Sequence, residues 1–257
     1  MQSHIQFFQL LTFRVYCRLK SEVSNTYLNY LWWALEPILY LATFYFVFET
    51  LLRRGTEDFV VFLLCGLIPW AWFQKSAQNA SSSILHNKGL LTQVRIPIIL
   101  FPMEVVAQDF VKQFIAFFVL FLFLILYGVS ASWTWLAIIP LIVVQLTLIL
   151  AVAFLLAAIV PIIPDLKYII TTGLLILMFG SGIFYHYETL LPHHQEIFFL
   201  NPIAVLIRSY REVLLYNTWP QWDRLFILFT LSLAALYLLY RFFSNSAEYY
   251  TQLASEQ

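Results

Sequence analysis

Six stretches of this chain, at about residues 29–52, 59–79, 103–128, 133–160, 166–185 and 222–243, are each long and apolar enough to cross a lipid bilayer. A helix needs about 20 mainly apolar residues to span the hydrocarbon, at a rise of about 1.5 Å per residue. The runs are continuous rather than alternating, which favours helices over the strands of a membrane barrel. Composition agrees: of 257 residues, 61% are hydrophobic and only 11% are charged, whereas a soluble domain carries about 25% charged residues. So little charge cannot cover a water-facing surface, and so much apolar content excludes a disordered chain. The expected fold is an all-α integral membrane protein. Residues 1–257 form a single transmembrane domain, with 29–243 as its six-helix membrane part and 244–257 as a cytoplasmic tail.

The first 25 residues differ from the rest. Phe8, Leu11, Val15, Leu19 and Val23 recur at spacings of three and four, while Arg14, Arg18 and Ser21 fall on another face. This predicts an amphipathic interfacial helix lying flat at the membrane surface. Gln9, Thr12 and Arg14 interrupt the apolar run, so a signal peptide is not expected. An even number of spans puts both termini on one side. That side receives Arg14, Arg18, Lys20, Lys75, Lys88, Arg95, Lys167 and Arg241, against Arg53, Arg54, Arg208, Arg211 and Arg224 opposite, with Lys112 inside a span. The excess predicts cytoplasmic termini.

The connection at 186–223 carries two apolar pieces, Ile197 to Leu200 and Ile203 to Ile207, split by Asn201-Pro202. Each is too short to cross and too apolar for a free loop, the pattern of a re-entrant or interfacial segment. It is a candidate cap or gate on the outer face.

Much chemistry is missing. Fourteen basic residues balance fourteen acidic ones, so nothing points to nucleic acid as a partner. There is no G-x-x-x-x-G-K-[ST] phosphate loop, no G-x-S-x-G elbow and no H-E-x-x-H zinc pair. No catalytic residue, bound cofactor or metal is therefore expected. Cys17 and Cys65 read as inert thiols. His186, Glu188, His193, His194 and Glu196 are the nearest thing to a metal cluster, but they read as solvated polar residues of the outer loop.

Some residues are costly where they sit. Glu36-Pro37 lies inside the first span, where a carboxylate costs a few kcal/mol and proline removes a backbone donor. Water at the headgroups could solvate Glu36, or it could face a polar cavity. Trp33, Tyr40 and Phe44 share a face of the same span. On the fifth span Tyr168, Thr172, Phe179, Gly182 and His186 share a face, mixing hydroxyls, rings and a close-approach glycine. That stripe is either tight helix packing or a wall facing something amphiphilic. Between spans two and three, Ser82 or Ser83 could cap a short helix bearing Ile84, Lys88 and Leu91, which would project apolar residues into the cytoplasm for docking.

Taken in order, several segments carry a resemblance. They are Leu28-Asn29-Tyr30-Leu31-Trp32-Trp33-Ala34-Leu35-Glu36-Pro37, Gly66-Leu67-Ile68-Pro69-Trp70, Asn87-Lys88-Gly89-Leu90-Leu91, Arg95-Ile96-Pro97 with Pro102, and Asn201-Pro202 followed by Arg208 and Arg211-Glu212. With this order and length the chain resembles the membrane subunit of ABC-2-type polysaccharide exporters, which move capsule, O-antigen and teichoic-acid chains. One departure is Asn29, where that family usually carries glycine. The resemblance implies an inner-membrane homodimer working with two copies of a separate ATPase subunit, which would bind the ATP and Mg. It implies coupling to that ATPase through Ser83, Ile84, Leu85, His86, Asn87 and Lys88. It further implies a sugar path along spans one and five, hence Trp33, Glu36, Tyr40, Phe44, Tyr168, Thr172, Phe179 and His186, with Asn201, Pro202, Arg208 and Arg211 at the outer gate. The expected function is export of a polysaccharide or lipid-linked glycan without an enzymatic site of its own. The alternatives are an ABC-2 exporter of a drug or lipid, a membrane-embedded glycosyl or acyl transferase using the outer-loop histidines, and a scaffold anchoring a synthase.

Overall fold

The computed structural model describes residues 2–24, 27, 30–47, 59–94, 96–246, 249–250 and 252. Among them there is no β-strand. The chain folds into α1 (Gln2–Ser24), α2 (Leu31–Tyr45), α3 (Phe59–Ser81), α4 (Ser83–His86), α5 (Lys88–Gln93), α6 (Leu100–Tyr127), α7 (Ile138–Ile159), α8 (Leu166–Phe179), α9 (Pro192–Phe198), α10 (Pro202–Leu214) and α11 (Trp222–Asn245). A 3-10 turn, Trp133–Ala137, leads directly into α7.

Among the described residues, four helices are long and apolar enough to cross a membrane: α3, α6, the continuous Trp133–Ile159 and α11. The first and fifth stretches read from the sequence give shorter helices. α2 has 15 residues, with Asn29 and residues 48–52 outside the described ones. α8 has 14 residues and ends well short of residue 185. The cause lies just beyond it, where the chain turns through Gly182 at φ +70, a backbone conformation that favours glycine.

The centre of the bundle is α3, which packs against α2, α6, α7, α8 and α10. α3 is buried over most of its length: 78% of its most apolar stretch is enclosed by protein, against 22% for α6 and 17% for α11. Pro69 sits inside it. Gln113 of α6 donates to the Ile68 carbonyl at 3.4 Å and Gln145 of α7 to the Pro69 carbonyl at 2.8 Å, so amide side chains knit three helices together at the proline. α10 lies across α3 at Gly66, where an added Cβ would come within 2.8 Å of Arg211 Nη2 and 3.1 Å of Ile207 Cγ2. Asn201 caps α10 by accepting from the Ile203 N–H at 3.0 Å, and Pro202 takes the first helical position, where a missing N–H costs nothing.

α1 packs on α6. Leu11 and Val23 are buried as the apolar spacing suggests, and Arg14 is also largely covered, while Arg18 and Ser21 stay more exposed. Arg14 and Arg18 both pair with Glu104 of α6, at 2.7 and 3.1 Å, and Glu104 is 1% exposed. The spacing shows that these arginines share a face, yet it carries no sign of the buried acid, 90 residues from Arg14.

A second, smaller core joins Ile84, Leu91, Ile98, Phe101, Phe154, Phe243 and Tyr250. Tyr250 Oη donates to the Ala158 carbonyl at 2.6 Å, fastening Tyr250 to the last turn of α7.

Candidate functional site

A cleft of about 340 Å³ opens between α2, α3, α6 and α8. Its apolar part is aromatic, with Trp33 and Tyr40 from α2 and Trp70 and Trp72 from α3; its polar part holds Glu36, Lys75, Asp109, Lys112 and Gln113. Lys75 Nζ donates to both oxygens of Glu36, at 2.6 and 2.7 Å, across the α2–α3 contact. The carboxylate that looked costly in the sequence is therefore neutralised by a lysine from the neighbouring helix, and Pro37, which follows it inside α2, has no N–H to donate to the Trp33 carbonyl one turn back. Lys112 pairs with Glu22 of α1 and lies 6.0 Å from the centre of the Trp33 ring. Asp109 is buried and accepts from Asn79 Nδ2 at 3.3 Å. Rings beside opposed charges and amides make a wall that offers stacking surface and hydrogen bonds to an amphiphilic guest.

At the other end of α3 the chain is locked by Arg211, which is 6% exposed. Its guanidinium donates through Nε to the Phe62 carbonyl at 3.1 Å, through Nη1 to Gly182 at 2.7 Å and through Nη2 to Ile183 at 2.8 Å. It lies 3.3 Å from the centre of the Phe62 ring. The planar fork of arginine suits such divergent carbonyls; a lysine would not reach all three. Nearby, Arg208 pairs with Glu212 at 2.7 Å and lies over the rings of Tyr187 and Phe199.

The sequence pattern of the ABC-2 type transporter family matches residues 8–215. The chain belongs to that family. It is 26% identical over 249 residues, 96% of each chain, to the O-antigen export system permease protein RfbA of Myxococcus xanthus. It is 27% identical over 201 residues, 78% of each chain, to a protein of the same description from Klebsiella pneumoniae. Family and apolar helices together make it a multi-pass inner-membrane protein with a transport role.

Within this ABC-2 protein the residues expected along the path fall into three places. Trp33, Glu36 and Tyr40 line the cleft, while the side chain of Phe44 lies outside the described residues. Tyr168, Thr172 and Phe179 are exposed on α8 and do not line the cleft, although Leu175, on the same helical face and 50% exposed, does so together with Met178. Thr172 donates back to the Tyr168 carbonyl at 3.2 Å, and Phe179 packs on Phe184 at the cleft's edge. His186 lies beyond α8 and stacks on Phe62, with ring centres 3.9 Å apart. Partial burial, and then the charge of Arg211, lower its pKa below the usual imidazole value. His186, Glu188, His193, His194 and Glu196 do not converge: among the described residues no group of three His, Cys, Asp or Glu could hold a metal ion. Cys17 is exposed and Cys65 buried.

The expected docking helix is two pieces, α4 and α5, separated by Asn87. Neither Ser82 nor Asn87 caps its following helix through a side-chain hydrogen bond. Ile84 and Leu91 do not project outward; they are buried in the second core, with His86 and Gly89 on the exposed side. Arg14 Nη2 donates to Asn87 Oδ1 at 3.1 Å, and Asn87 Nδ2 donates to the Ser83 carbonyl at 2.7 Å. The residues missed in the sequence are Lys75, Asp109 and Lys112 as cleft groups and Arg14 with Glu104 as the clamp of this turn. Asp109, Lys112 and Gln113, spaced as helical neighbours in an otherwise apolar span, were the available signal.

Proposed function

We propose that this chain is the permease subunit of an ABC transporter that exports a polysaccharide, such as O-antigen or capsule on a lipid carrier, across the inner membrane. The observation that carries this reading is the likeness to an O-antigen export permease over 96% of both chains. In this reading α2 and α8 complete a set of six crossing helices, α1 lies at the cytoplasmic interface, both termini are cytoplasmic, and α9–α10 form a re-entrant outer hairpin. Two copies associate so that the exposed face of α8, with Tyr168, Thr172 and Phe179, and the α2 cleft, with Trp33, Glu36 and Tyr40, border the sugar path; Phe44 and His186 extend it. Ring faces and hydroxyls suit sliding glycans, because a conduit must bind weakly enough to release.

The chain supplies no nucleotide site, and ATP with Mg binds two copies of a separate ATPase subunit. Ser83 to Lys88 receive its stroke, and the Arg14–Asn87 contact passes motion from that turn to α1 and α6. Asn201, Pro202, Arg208 and Arg211 hold the hairpin that closes the outer end. Deleting the gene and restoring it on a plasmid tests the reading. Surface polysaccharide should vanish, accumulate inside the cell and return on complementation. Unchanged surface glycan with new drug sensitivity would favour a drug or lipid exporter instead.

A further inference from the structure

Between α7 and α11 runs a groove of about 960 Å³, walled by Leu148 and Leu155 on one side and Ile227 and Leu231 on the other. On α11 it extends from Arg224 to Leu239, about 22 Å at about 1.5 Å per residue, whereas one leaflet of the hydrocarbon is about 15 Å deep. Its mouth carries two opposite charges, Arg224 and Glu196. Both are exposed, and among the described residues neither forms an ion pair. Arg224 is held in place by Phe199, with its guanidinium 4.4 Å from the ring centre.

We infer that this groove is a binding site for one amine-bearing phospholipid of the leaflet next to the α9–α10 hairpin. Arg224 takes the phosphate, Glu196 the ammonium, and the acyl chains lie between α7 and α11. Charge complementarity selects the occupant. A purely anionic headgroup would satisfy Arg224 but set its charge beside Glu196 with nothing to offset the repulsion, whereas a zwitterion matches both groups. The hairpin itself also lines the groove, through Phe199, Pro202 and Val205, so the bound lipid also buttresses that element. The site is independent of what the transporter carries.

The test is native mass spectrometry of the full-length chain with its ATPase partner, extracted from membranes containing phosphatidylethanolamine and phosphatidylglycerol in equal amounts. Wild type should retain phosphatidylethanolamine preferentially. Arg224→Ala should weaken retention about tenfold, Glu196→Gln should shift preference toward phosphatidylglycerol, and Leu231→Trp should displace the lipid by filling the groove. Equal retention in wild type, Arg224→Ala and Leu231→Trp would overturn the site. So would a wild-type preference for phosphatidylglycerol, or crosslinks across the groove showing a second copy of the chain seated there.

Discussion

α3 with α10 and α2 with α8 are built on opposite terms. The first pair is enclosed by protein, and α10 buries ten of its residues against its neighbours. Among the described residues of α2 none is buried, and on α8 only Leu174 is. Enclosure makes a frame in which each change of volume or charge is felt throughout. Sparse burial leaves an element free to shift at little cost in stability. The cleft lies where the two kinds meet, with a fixed wall from α3 and α6 and a lightly held wall from α2 and α8.

The sharpest way to break that contrast is Arg211→Ala. It leaves the carbonyls of Phe62, Gly182 and Ile183 without their donor and, at about 1–3 kcal/mol for each buried acceptor left unpaired, should cost several kcal/mol, seen as a large fall in thermal midpoint and in folded yield. Arg211→Lys should recover only part of it, for want of the fork. Gly66→Leu comes next. The new side chain meets Arg211 and Ile207, and overpacking should cost about 1–3 kcal/mol, measured by the same melt.

Arg14→Ala removes a charged bond to Glu104 and the tie to Asn87, worth about 1.5–3 kcal/mol. Faster proteolysis within α1 and a lower ratio of transport to ATP hydrolysis would report it. Trp33→Ala with Tyr40→Ala, on the lightly held wall, should move the melt by less than about 1 kcal/mol while reducing glycan export several-fold; unchanged export would remove them from the path. The smallest effect concerns His186. Its pKa is lowered in the fold, so its contribution is present above the ordinary imidazole value of about 6.5 and is lost as pH falls through the lowered one. A melt at pH 5 should lie slightly below that at pH 7, and His186→Phe should remove the difference while keeping the stack on Phe62.

Helical class, the inner-membrane setting and the spans that became α3, α6, α7 and α11 were legible because continuous apolar length is a local property. So was the break at Asn201-Pro202, where cap and proline stand side by side. The shortness of α8 had a local signal that a reading by apolar length passes over: Gly180-Ser181-Gly182 is a breaker cluster, and the chain turns there with Gly182 at φ +70. Arg211 illustrates the deeper limit. The sequence shows an arginine in an outer connection; its partners are backbone carbonyls 28, 29 and 149 residues away, which carry no side-chain signature. Helical spacing likewise put Ile84 and Leu91 on one face without saying whether that face looks in or out.

Tyr250 has a practical consequence. Its ring closes the same cluster that seats Ile84 and Leu91, so Tyr250 and the α4–α5 turn share one packed unit. A fluorophore attached beside Tyr250 would therefore register any displacement of that turn, and a truncation that removes Tyr250 would open the cluster.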